Sequence, residues 1–485
     1  MRVLMLGWEF PPFITGGLGT ACYGLTKALS ARDTHISFVL PKRVGSEYTE
    51  HVKLLAPQAP SADAGDRAPA AVASTFTADP KPTPVDTGGK ASFRNVVFKA
   101  VPSHMASVYP GGGLQYTPTG TRKAEGIGFI HGTSATADPP PHANDTPEPA
   151  ASAESSRQAE QLPDPPDIGY GGDLFHETRR YADLCLDLAK GEDFDVIHAH
   201  DWLTFPAAEA LSQATGKPWI AHVHSTEYDR AGEGANTEIA EYEKRGVLAA
   251  DRVIAVSEFT RRILVNRFGM EKDKCDVVYN GVEQTLQNGV EKTKPIAPPA
   301  GIKKDEKVVL YLGRVTMQKG PEYFIAAAKK VLEKLDKVKF VVAGSGDQIE
   351  RTIEQAAKAG IGSKVTFTGF LHRADVERIY EMADVYVMPS VSEPFGIAPL
   401  EAIAHDVPVI ISRQSGVSEV LEHALKVDFW DTHDMANKII AVLRHPPLSK
   451  TMRKHADIEV RELTWDGAAA KCEKVYEQLL DAAAV

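Results

Sequence analysis

The 485-residue chain is 43% hydrophobic and 25% charged, an ordinary globular balance in a length that exceeds one core, so two domains are expected. A net charge of −11 argues against nucleic acid as a main partner, and no apolar run is long enough for an integral membrane segment. Cys22, Cys185, Cys275 and Cys472 lie far apart without C-x-x-C pairing, so neither a zinc site nor a disulfide framework is indicated.

Met1-Arg2 leads directly into the apolar run Val3 to Leu6, a buried parallel strand and not a signal peptide, and the expected location is therefore the cytoplasm. A Gly-rich loop, Thr15 to Gly19, separates this strand from a helix starting near Thr20, and a second strand is read at His35 to Leu40. Pro, Ala, Asp, Ser and Thr then dominate about 57–90 and again about 118–166, the composition of insertions without a core. Between them Phe93 to Val101 alternates like a strand. Regular order resumes with a helix from Asp173 to Lys190 and strands at Asp195 to His198, Trp219 to Val223, Arg252 to Val256 and Val277 onward. A first domain is thus expected over 1–282, followed by a polar, Pro-containing linker over 283–305.

The second domain, 306–455, has strands at Val308 to Leu312, Lys339 to Ala343, Lys364 to Phe367, Val385 to Met388 and Pro408 to Ile411. The helix Pro321 to Leu335 between the first two carries an apolar stripe of Phe324, Ile325, Ala328, Val331 and Leu332. Residues 456–485 are expected to end in a helix crossing back over the first domain. The fold class is α/β, two doubly wound domains facing a cleft.

In such sheets ligands bind at the carboxyl ends of strands, and the informative residues cluster there. Gly16 and Gly17 offer unhindered backbone N–H groups at a helix N-terminus, suited to phosphate. Neither the dinucleotide G-x-G-x-x-G nor a P-loop lysine is present. Gly313-Arg314 ends one strand with Lys319 five residues on, a fork and a point charge for a departing diphosphate. Gly344 and Phe370 follow the next two strands, where a nucleoside could be received. Glu393 and Glu401, eight positions apart, flank a Pro-Phe-Gly turn at Gly396, with Glu393 on the loop and Glu401 about two helical turns in. His198, His200, Asp201 and Trp202 close a first-half strand with groups suited to sugar hydroxyls and a pyranose face. His222, His224 and Glu227 close the next, with His224 at the loop edge. Two histidines on one strand also fit a metal, but no third clustered ligand is evident, and no metal is expected.

Taken together, Pro12 to Gly19, His198 to Trp202, His224 to Arg230, Asn280-Gly281, Gly313 to Gly320 and Glu393 to Glu401 make a chain that resembles the retaining GT-B glycosyltransferases, especially the glycogen and starch synthase-like branch. The resemblance implies two Rossmann-like domains and transfer of a glucosyl group from ADP-glucose or UDP-glucose to a glucan or other sugar acceptor, with retention and without a cofactor. It implies that Arg314 and Lys319 stabilise the leaving diphosphate, that Glu393 meets the donor sugar, and that His224 lies beside the anomeric carbon. Gly16, Gly17, Asp201, Asn280, Gly313, Gly344, Phe370, Gly396 and Glu401 would complete the donor site; His200, Trp202 and Glu227 would face the acceptor. Ile14 stands where many bacterial starch synthases have a lysine, which leaves more of the phosphate charge to Arg314 and Lys319.

Overall fold

The computed structural model describes residues 1–10, 17–41, 96–100, 130–131, 173–282, 302–303, 305–371 and 373–483. Gly16, the 57–90 insertion and most of the linker and of 118–166 lie outside them. Among the described residues fourteen strands form two sheets: β1 Arg2–Leu6, β2 His35–Leu40, β3 Val96–Ala100, β4 Ile130–His131, β5 Val196–His200, β6 Trp219–Val223, β7 Arg252–Ala255, β8 Cys275–Val277, β9 Lys307–Leu312, β10 Val338–Ala343, β11 Val365–Gly369, β12 Val385–Met388, β13 Val409–Ser412 and β14 Leu425–Val427.

The first sheet has the order β3-β2-β1-β5-β6-β7-β8 and is parallel throughout. The second runs β14-β13-β12-β9-β10-β11-β4, with only β4 antiparallel. Each order reverses direction once, between β1 and β5 and between β9 and β12, and the crevice at such a switch point is open to ligand. Every residue of β5, β6 and β10 is buried, as expected of parallel strands covered on both faces.

The structure departs from the sequence reading in a few places. β4 falls inside the segment read as a low-complexity insertion, and β14 was not read as a strand; at two and three residues they are too short to show periodicity. The last strand of the first half ends at Val277 and does not continue to Asn280. Glu401 sits in the first turn of the Ala398–Ala404 helix, not two turns in, because Ile397 and Ala398 are taken up by the loop and the helix start.

The final helix, Trp465–Ala483, packs into the core of the first half, where Trp465, Ala468, Ala469, Cys472, Val475, Tyr476 and Leu479 join residues of β1, β2 and the Gly17–Ala31 helix. Arg32 and Thr34 tie it at Glu473, at 2.7 and 2.6 Å.

Candidate active site

At the second switch point two loops are fastened to each other. Val391 N–H donates to Gln318 O at 2.8 Å, joining the loop after β12 to the loop after β9. Gly320, at φ 64°, packs so tightly that a Cβ there would lie 2.2 Å from Pro389 O. Lys319 is thereby delivered to Glu393, and its Nζ donates to Glu393 Oε2 at 2.6 Å. Ser390 Oγ donates to the same oxygen at 3.1 Å. Glu393 is 7% exposed, so its charge has been taken out of water and Lys319 compensates it.

Arg314 is half-buried at the end of β9, its carbonyl accepting from Tyr311 OH at 2.8 Å. Burial, then the Glu393 charge, raises the phenol of Tyr311, while Arg314 opposes the shift. Both charged groups therefore act on one buried ring from the same end of the sheet. Three glycines close the neighbouring strand ends. Gly344 N–H donates to Gly369 O at 2.9 Å, and a Cβ on Gly344 would meet Gly313 O at 1.9 Å. Phe370, half exposed, stands beyond them. Gly396 turns the Glu393 loop at φ 104°, against Glu393, Val417 and Met388. Glu401 accepts from the buried Tyr380 OH at 3.1 Å.

The first half contributes a histidine tile that the sequence reading did not assemble. His198 and His200 of β5, His222 of β6 and His224 just beyond the end of β6 share one face, because alternate residues of an extended chain point the same way and His200 is in register with His222. His198 Nε2 bonds His222 Nδ1 at 3.0 Å and His200 Nδ1 bonds His224 Nε2 at 2.9 Å. The two pairs stack, with ring centroids 4.5 Å apart for His198 and His200 and 4.2 Å for His222 and His224. His198 Nδ1 also meets Tyr476 OH at 2.6 Å. Burial pushes His198 and His224 down to about 3, and His200 and His222 well below the ordinary histidine range, so all four rings are neutral at neutral pH. The nitrogens of His198, His200 and His222 lie within 4.8 Å of one another, the third clustered imidazole that sequence alone did not show. Both His198 nitrogens are already hydrogen-bonded, which leaves two uncommitted Nε2 atoms, one short of a three-ligand protein site.

Three residues expected at the acceptor are enclosed in protein instead. His200 is fully buried in the tile. Trp202, 2% exposed, packs against Phe175 and Tyr242, since the chain turns inward after Asp201 at φ 59°. Glu227 is buried and bound to Arg230 at 2.9 Å, beside Glu243. Asp201, expected at the sugar, caps a loop: its Oδ1 accepts from His224 N–H at 2.7 Å, and burial lifts its carboxyl to about 7. Only their placement in a strand-end cluster was readable; which of them face inward depends on the fold. Asn280 is buried where the first half ends, and Gly17 opens the Gly17–Ala31 helix at the surface.

The two halves meet around the Glu393 loop. Ser392 Oγ donates to Asp229 Oδ1 at 2.6 Å, Ser257 donates to Pro394 O, and Tyr279 stacks on Phe395 at 5.8 Å. Glu419 accepts from Glu258 N–H at 2.9 Å and from Tyr279 OH at 3.2 Å.

Residues 293–458 match the family model "Glycosyl transferases group 1", 143–286 match "Glycosyltransferase Family 4", and 2–76 match "Starch synthase catalytic domain". An uncharacterized glycosyltransferase of Methanocaldococcus jannaschii is 33% identical over 297 residues, 59% of this chain and 76% of that protein. A glycogen synthase of Mycobacterium tuberculosis is 27% identical over 290 residues, 58% of this chain and 68% of that protein. Among solved structures, sucrose-phosphate synthase from Thermosynechococcus elongatus superposes with a TM-score of 0.64 at 19% identity, covering 99% of this chain and 100% of that one. Anabaena HepE in complex with UDP-glucose superposes with a TM-score of 0.61 at 15% identity, over 99% and 100%. Two doubly wound sheets with facing switch-point loops, and a relative matched over three quarters of its length, agree: the chain belongs to the glycosyltransferases and has the GT-B fold.

Proposed function

We propose that this glycosyltransferase moves a glucosyl group from ADP-glucose or UDP-glucose to an α-1,4-glucan, with retention at the anomeric carbon. The observation that carries the reading is the Lys319–Glu393 contact at the second switch point, with Arg314 on the adjoining strand end. A nucleoside diphosphate entering there meets a cation already positioned, and the diphosphate competes with Glu393 for Lys319. Arg314 then shares the negative charge that develops as the glycosidic bond breaks. Freed from the lysine, Glu393 accepts hydrogen bonds from donor-sugar hydroxyls, and His224 reaches the sugar from the first half. Glu401 binds the ribose, and the strand-end glycines 313 and 344 let backbone approach the nucleotide, with Phe370 at the base. No metal is required, because the cationic side chains supply the charge.

Glucan as acceptor is supported by the starch synthase match at the N-terminus and by the glycogen synthase relative. A second reading, a small phosphorylated polyol or sugar as acceptor, is favoured by relatives named D-inositol 3-phosphate glycosyltransferase, 28% identical over 304 residues in Acidothermus cellulolyticus. Release of nucleoside diphosphate from ADP-glucose and UDP-glucose, measured with glycogen, maltooligosaccharides and inositol phosphate in turn, separates the two. Turnover with glucans alone supports the first, and turnover only with the phosphorylated polyol replaces it. Conversion of UDP-GlcNAc to an epimer with no acceptor present would overturn both.

A further inference from the structure

The residue just before Glu393 is held from the opposite half. Ser392 Oγ donates to Asp229 Oδ1 at 2.6 Å, a length typical of a hydroxyl on an ionised carboxylate, and among the described residues that hydroxyl has no other partner. Asp229 is buried and uses both oxygens: Oδ2 accepts from Thr226 N–H at 2.8 Å and from Thr226 Oγ1 at 2.7 Å, capping the Glu227–Ala231 helix that carries it. Burial pushes the Asp229 carboxyl up, and the Ser392 hydroxyl is first among the contacts that oppose the shift. The helix is braced from within its own half: Arg230 bonds Glu227 at 2.9 Å and Glu243 at 2.5 Å, and Glu243 accepts from Glu227 N–H at 2.8 Å. It also packs against the Met317–Lys319 turn. One braced piece of the first half thus lies against both loops whose side chains form the Lys319–Glu393 pair.

We infer that Asp229 is a positioning residue: by anchoring Ser392 it sets the backbone from which Glu393 reaches the donor sugar, so that a residue of the second half is placed by the first. Within its own half Glu393 is held by two bonds, its N–H donating to Gln414 O and its carbonyl accepting from Gly416 N–H, both at 2.9 Å. The Ser392 contact adds the restraint on the residue before it. Arg314 and Lys319 stand on another loop, so the hold on the diphosphate is left in place when that restraint is removed. The effect on transfer rests on the function proposed above, whereas the restraint on the loop does not.

The test compares full-length wild type, S392A, S392T, D229N and the double variant S392A/D229N, each checked for folding by a thermal melt. Asparagine keeps the shape of Asp229 but offers one accepting oxygen, too few for both Thr226 and Ser392. S392A should lower kcat about tenfold, the order of one lost hydrogen bond to a charged group, and S392T, which keeps a hydroxyl, should recover it. Affinity for UDP or ADP alone, measured by calorimetry, should stay at the wild-type value in S392A. The double variant should be no slower than D229N, since both changes break one contact. Without ligand, the amides of Glu393 and Gly416 should exchange hydrogen faster in S392A. Wild-type kcat in S392A, losses that multiply in the double variant, or diphosphate affinity falling in step with kcat would overturn the inference; if D229N does not fold, S392A against S392T decides. Absence of turnover with every donor in the wild type would count against the proposed function, and hydrogen exchange then decides: faster exchange in S392A upholds the restraint, and unchanged protection overturns it.

Discussion

Lys319 reaches Glu393 because the residue after it has no side chain: any Cβ at Gly320 would collide with Pro389 O and separate the β9 loop from the β12 loop. Gly320→Ala should therefore mimic the loss of Lys319 without removing its charge. For Lys319→Ala we expect turnover to drop by about 10²–10³, the usual cost of removing one group that stabilises developing charge. Gly320→Ala should approach that loss, read as the rate of nucleoside diphosphate release; wild-type rates in both would show that the pair only folds the loop. The histidine tile gives a prediction about acid. Neutral in the fold and with pKa values held below an unfolded value of about 6.5, these groups contribute stability that is full above that pH. It is lost progressively as pH falls toward about 3, the folded value for His198 and His224. Thermal melts from about pH 7 down to about pH 4 should show Tm decreasing, and less steeply in a folded His222→Gln variant.

Helices and strands were the level most legible in the sequence. β6 and β12 match their expected limits, and the β9 to β13 series differs by a residue or two, because apolar period and flanking glycines are local signals. Strand-end motifs such as Gly313-Arg314 and Glu393 were legible for the same reason. Pairing was not: Lys319 is 74 residues from Glu393, and His198 is 278 residues from Tyr476. Trp202 and Glu227 were assigned to the acceptor because aromatic and acidic side chains beside a strand end suit sugars, yet Trp202 is buried against Phe175 and Tyr242, and Glu227 is buried with Arg230 and Glu243. The same packing gives a prediction at this scale. Gly24 in the Gly17–Ala31 helix faces Trp465, and a Cβ there would lie 2.2 Å from the indole. Gly24→Ala should destabilise the first half by about 1–3 kcal/mol, as overpacking does, despite alanine's better helix propensity. Urea unfolding measures it, and an unchanged or higher midpoint would contradict the packing.

Across the whole molecule the Glu393 loop is shared property, since Asp229 and Ser257 of the first half hold Ser392 and Pro394 on either side of that glutamate. Glu419 adds a helix cap from one half to the other, at the start of the Glu258–Phe268 helix. Removing it by Glu419→Ala should cost about 1 kcal/mol, typical of a lost N-cap, and speed amide hydrogen exchange at Glu258 and Phe259. Unchanged protection at those amides would mean that the halves do not rely on this contact.

The seating of Trp465–Ala483 among residues of β1 and β2 also governs biosynthesis. As the polypeptide leaves the ribosome, its amino-terminal lobe must wait, with a strip of greasy surface uncovered, until residues 465–483 have been made. Premature termination before residue 465 thus spoils the part made first, and such fragments are natural clients for chaperones and proteases.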